Sequence, residues 1–134
     1  MATEKSAVEP AVGSSARFVV HEHFARSHHF DLRLEGAGVL WSWALPKGMP
    51  TDPAQNRLAV RVDDHDLDHI GFVDPTPVPG VDGATRKSIW DSGTYRVVRA
   101  AANKLVVDLD GSRCRARYAL INTGADSWIL HLMG

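Results

Sequence analysis

Residues 29–35, His-Phe-Asp-Leu-Arg-Leu-Glu, alternate apolar and ionisable side chains without a break. Successive side chains of a β-strand point to opposite faces. Phe30, Leu32 and Leu34 therefore belong to a core, and His29, Asp31, Arg33 and Glu35 share the other face. An imidazole, a carboxylate and a guanidinium in one row can serve a metal ion and a phosphate. His23 lies six residues upstream of His29, near enough to reach the same face across a turn. Two imidazole nitrogens and a carboxylate oxygen form a common facial set for Mn, Fe or Zn, with positions left for water or substrate. Arg33 follows Asp31 by two residues, and Lys47 and Arg57 lie on neighbouring segments. A guanidinium suits the geometry of a phosphate, and a metal ion polarises the same group.

Plainer readings compete with this one. An alternating charged strand is usually just an exposed face. His21 and His23 form an H-x-H pair on one strand face, so His21 competes with His29 as a ligand. His28 should point away from His29 and reads as a surface residue. His65 follows Asp63 and Asp64 and reads equally well as a solvated, acid-paired histidine. His69 and His131 carry no local argument. Asp63, Asp64 and Asp66 could bind a divalent ion, but such a run is usually a solvated turn. Trp41 and Trp43 alternate with Ser42 and read as core rather than as a platform for bases.

The elements that must position these residues are short strands. The chain has 134 residues, 44% of them hydrophobic, which fits one domain with a real core. Residues 1–16 lack a clear period and read as a flexible, disordered N-terminal arm. Residues 17–134 read as one compact β-barrel domain, an all-β fold with little helix. Strands are expected over 17–22, 29–35, 39–45, 57–62, 87–90, 93–98, 104–109, 113–121 and 128–132. Residues 63–66 read as an acidic loop. Residues 73–86, with Pro75, Pro77, Pro79, Gly80 and Gly83, read as irregular. The net charge of −1 carries no global nucleic-acid signature, so a polyanion must meet a local basic patch. The lone Cys114 excludes an intrachain disulfide and fits a reducing cytoplasm. No run approaches a membrane span, and the start lacks a secretory pattern.

The residues 18–23 (Phe-Val-Val-His-Glu-His), 29–35, 39–48 (Val-Leu-Trp-Ser-Trp-Ala-Leu-Pro-Lys-Gly) and 57–65 (Arg-Leu-Ala-Val-Arg-Val-Asp-Asp-His) together resemble the 3′-phosphoesterase module of bacterial DNA ligase D. So do 89–95 (Ile-Trp-Asp-Ser-Gly-Thr-Tyr) and 111–130. The resemblance covers nearly everything after Ala16. It implies a compact β-barrel with a groove on one side. It implies a manganese-dependent hydrolase that heals DNA or RNA-tipped DNA 3′ ends for non-homologous end joining, with Zn2+ or Co2+ as alternatives to Mn2+. Such modules release a 3′-terminal ribonucleoside and then remove the remaining 3′-phosphate. The family's metal ligands fall on His23, His29 and Asp31. Its phosphate-contacting arginine falls on Arg33, its catalytic histidine on His65, and further basic site residues on Lys47 and Arg57. The implied setting is cytoplasmic DNA repair beside separate ligase and polymerase proteins, with no membrane.

Three departures stand out. The family's active-site tyrosine, four residues after the catalytic histidine, is His69 here. The family's Gly-Glu-Tyr-Gly segment appears as Gly80-Val81-Asp82-Gly83. The arm offers only Glu4, Lys5 and Glu9 where many members carry an Arg-Asp pair and a further acid. The His69 and Val81-Asp82 departures favour one alternative, a weakened scaffold that binds DNA ends without cleaving them. The H-x-H pair in a β-rich chain suggests another, a cupin-like metal enzyme.

Overall fold

The computed structural model describes residues 4–134. The strands are β1 (Ser15–Phe24), β2 (His28–Gly36), β3 (Val39–Leu45), β4 (Asn56–His65), β5 (Asp74–Pro77), β6 (Thr85–Ala101), β7 (Lys104–Gly111), β8 (Arg115–Gly124) and β9 (Ser127–Leu132). One 3-10 turn, η1 (Leu67–Gly71), joins β4 to β5. All strand pairs are antiparallel, in the order β1-β2-β3-β4-β9-β8-β7-β6-β5. A further pairing of β6 with β1 closes eight of the strands into a barrel. Closure removes the unpaired edges that an open sheet would leave. β5 stays outside the ring, on the edge of β6.

The alternation in the sequence explains the interior. Phe18 and Val20 of β1, Leu32 and Leu34 of β2, and Trp41 and Trp43 of β3 join Tyr95, Val97, Val107, Leu109, Leu120 and Leu130 in one core. Both tryptophans are therefore core residues, as their spacing implies.

Three segments differ from the sequence reading. β6 is a single 17-residue strand, not two strands broken at residues 91–92. A side chain at Gly93 would collide with the carbonyl oxygen of Asp110, so this glycine permits a close backbone approach and is not a turn. Asp63, Asp64 and His65 continue β4 instead of forming a loop. β5 forms inside the proline-rich stretch, which an edge strand tolerates because its N–H groups are not all needed.

Of the arm expected over residues 1–16, Ser15 and Ala16 open β1 and residues 4–14 are tied to the barrel; Met1 to Thr3 lie outside the described residues. Asp64 donates its N–H to the Glu4 carbonyl at 2.7 Å, and its carboxylate accepts the Ser6 N–H at 3.0 Å. The Ser6 carbonyl accepts from Arg61 at 2.8 Å, and Trp41 Nε1 donates to Ser6 Oγ at 3.1 Å. Buried Asp64 pairs with buried Arg61 at 2.9 Å, and Arg61 stacks on Trp43. Asp64 is thus a structural anchor and not a metal ligand or a solvated turn residue.

A second buried carboxylate ties β6 to the turn between β7 and β8. Asp91 is 4% exposed and accepts four backbone N–H bonds, from Ser92, Ser112, Arg113 and Cys114, at 2.7–3.1 Å. Burial pushes its carboxyl up, but the four donors together hold it below the usual aspartate range. A group depressed in this way stabilises the fold above its unfolded pKa, and that stability disappears as pH falls through the folded value. Asp91→Ala strands several buried donors, so it should cost roughly 3–5 kcal/mol. Urea denaturation at pH 7 tests this, and the stability lost between pH 5 and pH 3 should be smaller in the variant than in the parent chain. Among the described residues no helix is long and apolar enough to cross a membrane.

Candidate active site

The β1–β2 hairpin places the chemistry. Its register sets His23 opposite His29, His21 opposite Asp31, and Val19 opposite Arg33. Directly paired residues project to the same side of a sheet. The row continues across β3, where Ser42 stands opposite Arg33, and across β6, where Lys87 stands opposite His23. η1 lies over this outer face and adds His69, while the end of β4 adds His65.

Three side chains converge on one point. One ligand atom from each of His23, His29 and Asp31 lies within 4.8 Å of the others. His23 Nδ1 is 3.8 Å and His29 Nε2 is 3.3 Å from Asp31 Oδ2. His29 Nδ1 is 3.1 Å from the Ser27 carbonyl, which can only accept. Nδ1 therefore carries the proton and Nε2 keeps its lone pair. A metal-binding histidine is usually held this way, with its second nitrogen donating to the protein. Two imidazoles and a largely buried carboxylate at this spacing fit a divalent first-row metal.

His21 is excluded from that set by its own partners. Its Nε2 is 2.9 Å from the Phe72 carbonyl, so Nε2 donates. Its Nδ1 accepts from Arg33 Nε at 3.2 Å. Both nitrogens of this fully buried ring are engaged, and burial, then the charge of Arg33, pushes its pKa down to about 3. The H-x-H pair thus divides its work: His23 faces the metal-type cluster, and His21 holds Arg33.

Arg33 is the hub, at 2% exposure. Besides His21 it donates from Nη1 to Ser42 Oγ at 2.8 Å and to His65 Nδ1 at 2.9 Å. Its Nη2 is 3.4 Å from Asp31 Oδ2. Burial lowers the guanidinium pKa and the Asp31 charge offsets part of that. An arginine only donates, so His65 accepts at Nδ1 and a neutral His65 carries its proton on Nε2. Burial first, then Arg33 and Lys87, pushes His65 below the ordinary histidine range.

His69 occupies the place of the tyrosine that the resemblance implies. Its ring lies 4.5 Å from that of His65 and stacks on Phe72. Its Nε2 is 3.3 Å from Lys87 Nζ. Burial, then Arg33 and Lys87, lowers its pKa to about 4.

The remaining expected site residues divide. Lys47 is exposed in the turn after β3, where Gly48 N–H closes onto the Leu45 carbonyl. It makes no ion pair among the described residues. Arg57 is not brought to the cluster. It alternates in phase with buried Ala59 and Arg61 and stands opposite core residue Leu130, so it belongs to the inner side of the wall. His28 is on the surface, 2.8 Å from Glu22. Asp63 and Asp66 are exposed. Lys87 and Ser42 are the site residues that sequence reasoning missed, and His21, weighed there as a ligand, holds Arg33 instead. Lys87 sits in the short run 87–90, whose burial depends on closure of β6 against β1. A cleft of about 580 Å3 between residues 5–10 and the 100–102 and 122–128 segments lies away from this cluster and holds no comparable group of histidines.

Residues 21–122 match the family described as the DNA Ligase D 3′-phosphoesterase domain. The chain is 42% identical over 127 residues to the multifunctional non-homologous end joining DNA repair protein LigD of Mycobacterium tuberculosis, covering 92% of this chain and 17% of that protein. It is 42% identical over 135 residues to LigD of Mycolicibacterium smegmatis, covering 92% and 18%. It is 42% identical over 112 residues to LigD of Pseudomonas aeruginosa, covering 80% and 13%. The chain thus spans less than a fifth of the length of these relatives.

Proposed function

The chain belongs to the DNA ligase D 3′-phosphoesterase domain family, and from that membership we propose that it is a metal-dependent hydrolase of 3′ termini on DNA or RNA-tipped DNA, serving end joining. The observation that carries the reading is the convergence of His23, His29 and Asp31 beside the buried guanidinium of Arg33. A cupin-like reading loses its basis, because His21 is committed to Phe72 and Arg33.

His23, His29 and Asp31 would hold the metal, for which we favour Mn2+. When bound there, such an ion supplies Lewis-acid charge against a phosphoryl oxygen. The rest falls to the chain. Arg33, locked by four partners, offers fixed positive charge where negative charge develops, without reorganising. His65 takes the hydrogen bond of Arg33 on Nδ1, which leaves Nε2–H to donate to a phosphate oxygen. That geometry favours His65 as a phosphate donor over a proton source for the leaving oxygen. Lys47, exposed in its turn, would meet a backbone phosphate of the bound strand. In the first step water oxygen bonds to phosphorus and the bond to the O5′ of the terminal ribonucleoside breaks. That oxygen takes a proton and a 3′-phosphate remains. In the second step a second water oxygen bonds to phosphorus, the bond to O3′ breaks, that oxygen takes a proton to become the 3′-hydroxyl, and inorganic phosphate leaves. A DNA-end substrate puts the work in the bacterial cytoplasm, alongside ligase and polymerase activities.

The test is a primer–template ending in one ribonucleotide, incubated with the protein and Mn2+. Stepwise loss of nucleoside and then phosphate is expected, and chelation should stop it. Binding without cleavage would contradict the enzyme and favour the scaffold reading.

A further inference from the structure

Lys87 is 9% exposed, yet no carboxylate among the described residues lies within 4.0 Å of its ammonium. Among the described residues its one hydrogen-bond contact is His69 Nε2 at 3.3 Å, and its Nζ stands 5.6 Å from the centre of the Phe72 ring. An ammonium this deep is costly without an anion against it. Arg33, the other buried cation of the face, already faces Asp31 at 3.4 Å. Asp31, which under the reading above also serves the metal, and Asp74, opposite Lys87 on the edge strand β5, act on the ammonium from beyond ion-pair distance. Burial lowers the Lys87 pKa first and Arg33 lowers it further, and the charges of Asp31 and Asp74 offset only part of that.

The strand register shows where Lys87 points its chemistry. It stands across β1 from the His23–His29 pair, while Arg33 lies two residues beyond Asp31 on the other side. The two cations thus flank the same cluster from different strands. Neutral His69 accepts from the ammonium and fixes it from above. This is work that a histidine nitrogen can do, and it gives a physical reason for histidine at this position.

We propose that Lys87, positioned by His69, is a phosphate-binding residue selective for the 3′-terminal phosphomonoester. The inference rests on the proposed phosphoesterase reading. A phosphodiester carries one negative charge, and a terminal monoester carries close to two at neutral pH. A second fixed cation therefore helps removal of the 3′-phosphate more than release of the ribonucleoside.

The test uses the full chain loaded with Mn2+ and two primers, one ending in a single ribonucleotide and one ending in a 3′-phosphate. Lys87→Met should slow 3′-phosphate removal at least about 50-fold while slowing ribonucleoside release less than about 5-fold. Its affinity for Mn2+ should stay within about 3-fold, because Lys87 is not a ligand. Its melting temperature should hold or rise, since an unpaired buried charge is replaced by an apolar chain of similar length. Lys87→Arg should recover most of the phosphatase rate. Equal slowing of both steps, a lowered melting temperature with uniform loss, or phosphatase activity within 2-fold of the parent would each overturn the proposal. A parent chain that cleaves neither primer would instead sink the phosphoesterase reading itself.

Discussion

Replacing Asp31 by asparagine should abolish Mn2+-dependent hydrolysis of 3′ ends while leaving the barrel folded. Asp31 is the only carboxylate in the metal-type cluster, and its Oδ2 lies within 3.8 Å of both imidazoles. Removing its charge weakens the hold on the ion and the transition-state stabilisation that the ion supplies, a loss on the order of 10^3-fold or more in rate. Asparagine keeps the shape of the side chain, so a melting temperature near the parent value separates loss of chemistry from loss of fold. Alanine is the harsher variant. It leaves the buried guanidinium of Arg33 without its carboxylate, and breaking such a pair costs roughly 3–5 kcal/mol. Mn2+ titration followed by electron paramagnetic resonance reads the metal directly. Activity in Asp31→Asn equal to the parent would remove this carboxylate from the mechanism.

Arg33→Lys should cost activity by about 10^2- to 10^3-fold, because fixed donors aimed at developing charge are worth that much. The substitution keeps the charge but not the fork. Arg33 reaches His21, Ser42, His65 and Asp31 from three nitrogens, and a single ammonium cannot hold that geometry. Metal affinity should change less than about tenfold, since Arg33 touches Asp31 only from outside the cluster. A large fall in kcat with Mn2+ affinity retained supports the assignment. A large fall in metal affinity with kcat restored at saturating metal would assign Arg33 to holding Asp31 instead. Asp31→Asn and Arg33→Lys together should lose less than the sum of their separate effects, because the two residues act on one phosphoryl group.

The strand at 29–35 was fully legible, because its alternation puts the apolar set in the core and the polar set on one face. The reach from His23 to His29 followed from the hairpin, whose register indeed sets them opposite one another. Arg57 was misplaced because β4 inverts the usual rule. Leu58, Val60 and Val62 alternate as a core face would, yet Ala59 and Arg61 are the buried set. Arg61 is tolerated inside because Asp64 and the Ser6 carbonyl take its donors and Trp43 stacks beneath it. No local pattern announces that arrangement, since Ser6 lies 55 residues away from Arg61. The choice between His21 and His23 likewise rests on a distant group, the Phe72 carbonyl. Lys87 was overlooked for the same reason: its neighbours come from β1 and η1, not from its own strand. The arm looked free by composition, and its ties to Asp64 are made by backbone groups that composition does not report.

The central claim is that one divalent ion sits between His23, His29 and Asp31. Crystals grown with Mn2+ and measured at a wavelength where manganese scatters anomalously test it most directly. A single strong anomalous peak within coordination distance of both imidazoles and the Asp31 carboxylate, absent from Asp31→Asn, is the expected result. No peak at that point, or a peak held instead by the exposed Asp63 and Asp66, would contradict it.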